Sequence, residues 1–91
     1  MTVTTSWLYP PELREALAGL GLAPSVTSPP ALVRDAVDDL YKFELRRLRA
    51  RLRASQIVKA DYAGLVIALR KKYWMLTLPI DAWEKICRGG T

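Results

Sequence analysis

The sequence predicts an all-α fold: a small helical bundle built on a hairpin of long helices, with short helices at its N- and C-terminal ends. Three observations point there. Residues 31–54 contain neither Gly nor Pro, and Val33, Val37, Leu40, Tyr41, Leu45, Leu48 and Leu52 recur in them at steps of three to four. That spacing marks one face of a helix with 3.6 residues per turn. A second stripe, Tyr62, Val66, Leu69, Tyr73 and Leu76, repeats in the same way. Prolines and glycines fall between such segments, at Gly19, Gly21, Pro24, Pro29, Pro30 and Pro79. There they punctuate helices. The expected helices span about 10–20, 29–54, 61–75 and 80–88, in one domain covering 1–91.

Each element has its own signals. In the first, Pro10 and Pro11 suit an opening helical turn, where no intrahelical donor is needed. Glu12 and Glu15 favour its positive end, and Gly19 and Gly21 offer left-handed caps at its close. Gly21 to Ser28 reads as a linker. Ser28 before Pro29-Pro30 predicts the cap and first turn of the second helix. Asp35, Asp38 and Asp39 lie near its start and Arg46 to Arg53 near its end, matching the helix dipole. Asp38 and Lys42 are spaced for an i,i+4 ion pair. Residues 54–60 admit either one continuous helix or a break, and the break is favoured because Asp61 suits the cap of a third helix. Tyr62 to Leu69 carries no charge on any side, which predicts burial from several directions. Thr77-Leu78-Pro79 ends that helix. Asp81-Ala82-Trp83-Glu84 has the form of a capping box for the fourth. Thr2 to Ser6 and Gly89-Gly90 are expected to be loosely held ends. The first and fourth helices are expected to cover the two ends of the hairpin.

Composition narrows function by exclusion. The 91 residues include no histidine and a single cysteine, Cys87. Zinc, haem and iron–sulfur sites within one chain need ligands that are missing, so no metal and no cofactor are expected. A serine or cysteine nucleophile would lack its usual base. Gly19-Leu20-Gly21 has neither the third glycine nor the preceding strand of a dinucleotide fingerprint. No catalytic residue is assigned and no enzymatic activity is expected. Cys87 reads as a small apolar residue of the last helix. The first residues lack a basic, then apolar, leader, and the longest uncharged run, Ala16 to Val33, is interrupted by glycines and prolines. A cytoplasmic location without membrane contact is the expectation.

The net charge of +5 is unevenly placed. Residues 1–45 carry three basic against six acidic side chains, −3; residues 46–91 carry eleven against three, +8. The densest cluster is Arg46, Arg47, Arg49, Arg51 and Arg53. On a helical wheel with Arg46 at zero, Leu45, Leu48 and Leu52 fall near 260°, 200° and 240°, and the arginines form two rows flanking them. Long basic stems beside an apolar seam cover it and keep their heads in water. In oligomers, such positions pair with acidic residues of a neighbouring helix. Two functions therefore stand. The first is an interaction or oligomerisation module, a homo-oligomer or an adaptor for a protein partner, with Leu45, Leu48, Leu52, Val66, Leu69 and Trp74 as its contacts. The second is a non-specific nucleic-acid binder contacting phosphates through Arg46, Arg49, Arg53, Lys71 and Lys72, with Tyr73 and Trp74 beside them. Both aromatics extend the apolar third helix, and no recognition-helix or RNA-binding signature is present, which favours the first.

The segment from Leu48 to Leu76 resembles the short helical hairpins called SHOCT domains. Leu48 and Leu52, a small-residue turn, Ile57, Asp61-Tyr62 and Leu69 carry the likeness. Ala54-Ser55 stands where that family has glycine. The likeness covers under a third of the chain, and generic helical hairpins share its elements. It implies oligomerisation.

Overall fold

The computed structural model describes residues 6–88. The chain is all-α: α1 (Pro11–Gly19), α2 (Pro30–Arg53), α3 (Lys59–Lys72) and α4 (Ile80–Ile86), with one turn of 3-10 helix, Trp74–Thr77, between α3 and α4. The described residues form no β-strand, only an isolated antiparallel bridge between Trp7 and Arg88.

Four expectations about helix ends give way to backbone geometry. None of the helices has a side-chain cap. Three start after an extended proline (Pro10, Pro29 and Pro79) and α3 after an extended Val58. The proline fixes φ for the entry, so a hydroxyl or carboxylate is not required to set it. Ser28 is therefore not the cap of α2; its hydroxyl accepts from the Ser25 amide instead. Asp61 and Asp81 each sit inside a first turn, where they act through the dipole. The third helix also stops at Lys72, short of residue 75. The chain tightens there into the 3-10 turn, which carries Met75 into the core. The expectations for Thr2 to Thr5 and for Gly89-Gly90 lie outside the described residues.

Helix C-termini are where turn chemistry shows. After α1, the Gly21 amide donates to Ala18 O and the Leu22 amide to Leu17 O, with Gly21 at φ +83°. After α2, the Ser55 amide donates to Leu52 O and the Gln56 amide to Arg51 O, with Ser55 at φ +59°. Both are Schellman closures, satisfying carbonyls a helix end leaves unpaired. The break expected at 54–60 is this second closure. It turns the chain so that α3 runs back along α2. On one side of the pair Glu44 meets Lys72, and Leu48 and Arg51 of α2 share a groove with Leu65, Ala68 and Leu69 of α3.

The core lies at one end of the molecule. Tyr9, Leu13 and Leu17 from the N-terminal segment and α1 pack with Val37 of α2, Leu69 and Tyr73 of α3, Met75, and Trp83 and Cys87 of the α4 region. The flanking helices therefore do not cover opposite ends of the long pair; α1 and α4 share the end where α2 begins. Backbone bonds close it: the Leu8 amide donates to Cys87 O and the Trp7 amide to Val26 O. Three side chains satisfy carbonyls inside this head. The Tyr9 hydroxyl donates to Ser28 O (2.7 Å), the Trp83 indole to Met75 O (2.9 Å), and the Arg34 guanidinium to Leu78 O and Leu76 O (3.0 and 3.1 Å). From the head, the rest of α2 and α3 extends as an arm. The molecule measures 59 × 20 × 19 Å, with a radius of gyration of 16.2 Å. A compact chain of this length would have about 12 Å.

Candidate functional site: the exposed α2–α3 arm

Between Val37 and Leu69 no residue is fully buried. The arm's own seam consists of half-buried side chains, among them Leu45, Leu48, Leu52, Tyr62 and Val66. The expectation that Tyr62 to Leu69 is buried on several sides does not hold. Leu65 and Ile67 are exposed, as are Ala63, Gly64 and Ala68; only Leu69 reaches the core. The uncharged stretch has one neighbour, α2, because α1 and α4 were both used at the far end. Phe43 and Val58 add further exposed apolar surface, at 52% and 63%.

The six residues expected at an interface divide by position. Leu69 belongs to the core, and Leu45, Leu48 and Trp74 pack against it. Leu52 and Val66 are half-buried along the arm. Two of the six, Leu48 and Leu69, also line a groove of about 370 Å³ between the helices, together with Leu65 and Ala68. Arg47 and Arg51 stand on its α2 side, Lys72 and Glu44 at its head end.

The expected cationic contacts also divide. Arg46, Arg49, Arg53 and Lys71 are exposed. Lys72 is committed: its ammonium lies 3.2 Å from Glu44 Oε1 and 5.7 Å from the Tyr73 ring. The Tyr73 hydroxyl also donates to Glu44. Burial, with that bond to Glu44 and its charge, raises the Tyr73 hydroxyl well above the usual phenol range. Tyr41 packs edge-on to Tyr73 at 5.4 Å. Glu44, absent from both sets of expected contacts, thus ties the root of the arm to the head. Its signal was its position: the last acid of α2 before five arginines. On the outer side, Arg47 lies 5.9 Å from the Phe43 ring centre. Lys42 pairs with Asp38 at 2.8 Å, which holds its ammonium above the ordinary value.

The structure gathers the +8 of the second half of the sequence into the arm. Residues 45–72, the arm, hold nine basic side chains against one acid, Asp61, for +8. The remaining residues hold five against eight, for −3. Among the described residues, no group of three or more His, Cys, Asp or Glu is placed to hold a metal ion. No helix among them is long and apolar enough to cross a membrane. Burial pushes the thiol of Cys87 up to about 11, so at neutral pH it is a protonated, apolar group. No family model matches the chain, and no curated protein or solved structure is significantly similar to it. The SHOCT likeness rests on the residues quoted for it.

Proposed function

We propose that this protein is a small helical interaction module without catalytic activity, acting by packing its α2–α3 hairpin against a second copy of itself. The carrying observation is the arm. Over thirty consecutive residues separate the buried Val37 from the buried Leu69, with no fully buried residue between them. Phe43, Val58, Leu65 and Ile67 meanwhile stay in contact with water. Each such side chain is 38–63% exposed, so full burial by a partner adds about 0.5–2 kcal/mol. Two helices alone close only one seam, and the large apolar side chains left exposed along them are available to a partner. Light scattering at micromolar concentration tests the reading. A mass of at least twice the 10.2 kDa chain is expected; a species of chain mass at every concentration overturns it.

A second reading has one specific observation behind it, the +8 of the arm. A cationic rod with Arg46, Arg49, Arg53 and Lys71 exposed suits phosphate contacts without sequence preference. In that case DNA or RNA binding falls steeply with added salt and weakens in the Arg49→Ala/Arg53→Ala variant. No binding at low salt removes this reading.

A further inference from the structure

The outward side of α2 has an order that a second copy of the same helix would complement. Taking Phe43 as zero and 100° per residue, Leu32, Ala36, Asp39, Arg47 and Ala50 all fall within about 40° of it. They are offset by −11, −7, −4, +4 and +7 residues. The series reads Leu, Ala, acid, Phe, base, Ala, and Ala54 follows at +11. Out to seven residues on either side, size and charge are thus arranged symmetrically about Phe43 with the sign of charge inverted; the outermost positions, Leu32 and Ala54, are not matched in size. Inversion is what self-recognition across a two-fold axis requires, since residue i then meets j while j meets i.

This face is free in the structure. Leu32 is 65% exposed and Phe43 52%, Asp39, Arg47 and Ala50 are exposed, and Ala36 is half-buried. The inward side of α2, with Val37, Tyr41, Leu45 and Leu48, is occupied by the core and α3. Arg47 already leans over Phe43, so the aromatic and its cation form one surface. Asp39 has no ion pair among the described residues, the acid beside Lys42 being Asp38.

We propose that two copies of the chain associate through this face, with their α2 helices antiparallel and crossing at Phe43. This rests on the self-association proposed above and specifies its geometry. Phe43 packs on Phe43 of the second copy at the axis. Asp39 of each copy meets Arg47 of the other, twice. Ala36 and Ala50 lie opposite one another, and their small side chains let the helices approach closely. The antiparallel direction follows from charge. A parallel pair would set Asp39 against Asp39 and Arg47 against Arg47. The antiparallel pair also lays the acidic head of each copy, at −3, along the basic arm of the other, at +8. Opposite charge over the whole length steers encounter and fixes direction.

The experiment combines sedimentation equilibrium with site-directed cross-linking. Phe43→Cys places a thiol on the axis, where the two copies of the position fall within disulfide reach. Cys87 is buried and does not compete. Under mild oxidation this variant is expected to become a covalent dimer, whereas Val58→Cys, at the exposed tip of the arm, does not. Asp39→Lys and Arg47→Glu are each expected to weaken association about tenfold or more, and the double reversal to restore it. All four positions are solvent-exposed, and circular dichroism checks that each variant keeps its helices. If wild type dimerises but Phe43→Cys cross-links no better than Val58→Cys, or the double reversal fails to rescue, this face is wrong while self-association stands. A wild-type monomer at every concentration overturns both.

Discussion

The head and the arm are made from the same two helices and obey different physics. In the head, α2 and α3 meet α1, α4 and the 3-10 turn, and Leu17, Val37, Met75, Trp83 and Cys87 lose all contact with water. Every polar side-chain atom buried among the described residues has a hydrogen-bond partner. In the arm, the same α2 and α3 have only each other, no side chain short of Leu69 is fully buried, and nine cations crowd the twenty-eight residues 45–72. The head has a closed interior, although Leu8, Val26, Leu32 and Ile86 stay exposed on its surface; the arm has a half-buried seam and no such interior. Stability is therefore expected to reside in the head, and binding along the exposed outer side of α2, which runs from the head into the arm.

Truncating a large side chain in each region gives the widest separation. Trp83 is wholly buried and its indole donates to Met75 O. Trp83→Ala removes both the packing and the donor, leaving a cavity and an unpaired carbonyl, and is expected to cost about 3–5 kcal/mol. Leu52→Ala, in the half-buried seam of the arm, is expected to cost about 1 kcal/mol. Urea melts of both variants check this. Equal losses would mean that head and arm form one cooperative core. Hydrogen exchange should agree, with amides from Leu52 to Gly64 exchanging ahead of those in α4.

The two regions also differed in how much of them was legible beforehand. The long second helix and the four-helix count are visible in the periodicity and in Gly and Pro placement, because these are local properties; the break after Ala54 has no Gly or Pro to mark it, and Asp61, the residue that suggests it, lies inside the first turn of α3 rather than capping it. The head was harder to read. That α1 and α4 share one end depends on backbone bonds between Leu8 and Cys87 and between Trp7 and Val26, pairs far apart in sequence with no pattern to announce them. Nothing in the sequence around Arg34 marks it as structural. Its real partners are two carbonyls 42 and 44 residues away. The same blind spot explains Tyr62 to Leu69. An uncharged helix reads as buried unless one knows that its possible neighbours are used elsewhere. For the arm, the basic cluster was plain, but not that Glu44, Lys72 and Tyr73 lock its root, since that trio spans 29 residues.

Alkaline titration strikes chiefly the head, with the raised Tyr73 hydroxyl at the root of the arm adding to it. Burial raises the Cys87 thiol from 9.0 to about 11, and burial, then the neighbouring Cys87 charge, raises the Tyr9 hydroxyl from 10.0 to about 12. Both groups are neutral when protonated. Unfolding lets them ionise at their ordinary values, so their contribution is complete below pH 9 and is lost as pH climbs from 9 towards 12. The expected outcome is a Tm that holds from pH 7 to 9 and then declines. In Cys87→Ala the first part of that decline disappears, because only the later ionisation of tyrosine remains. The same protonated thiol should resist alkylation at pH 8 until the head is unfolded.

The smallest effect belongs to the arm and compares its turn with the one in the head. Both α1 and α2 end in a Schellman closure that needs a residue at positive φ. The head uses Gly21 and the arm uses Ser55. A side chain in that region crowds the adjacent carbonyl, at a cost of about 1–2 kcal/mol. Glycine escapes the cost but loses more backbone freedom on folding, about 0.5–1 kcal/mol. Ser55→Gly should therefore stabilise the turn by a net few tenths to about 1 kcal/mol, and Gly21→Ala should destabilise by about the same amount. No tertiary contact is disturbed in the second case, since a Cβ on Gly21 meets nothing within 4 Å. Because Ser55 lies in the arm, its gain is expected to slow exchange of the Gln56 and Ser55 amides, which close the turn, more than it raises the global Tm. A Tm rise as large as the local gain would show that the arm's turn is coupled to the head, and would erase the division between the two.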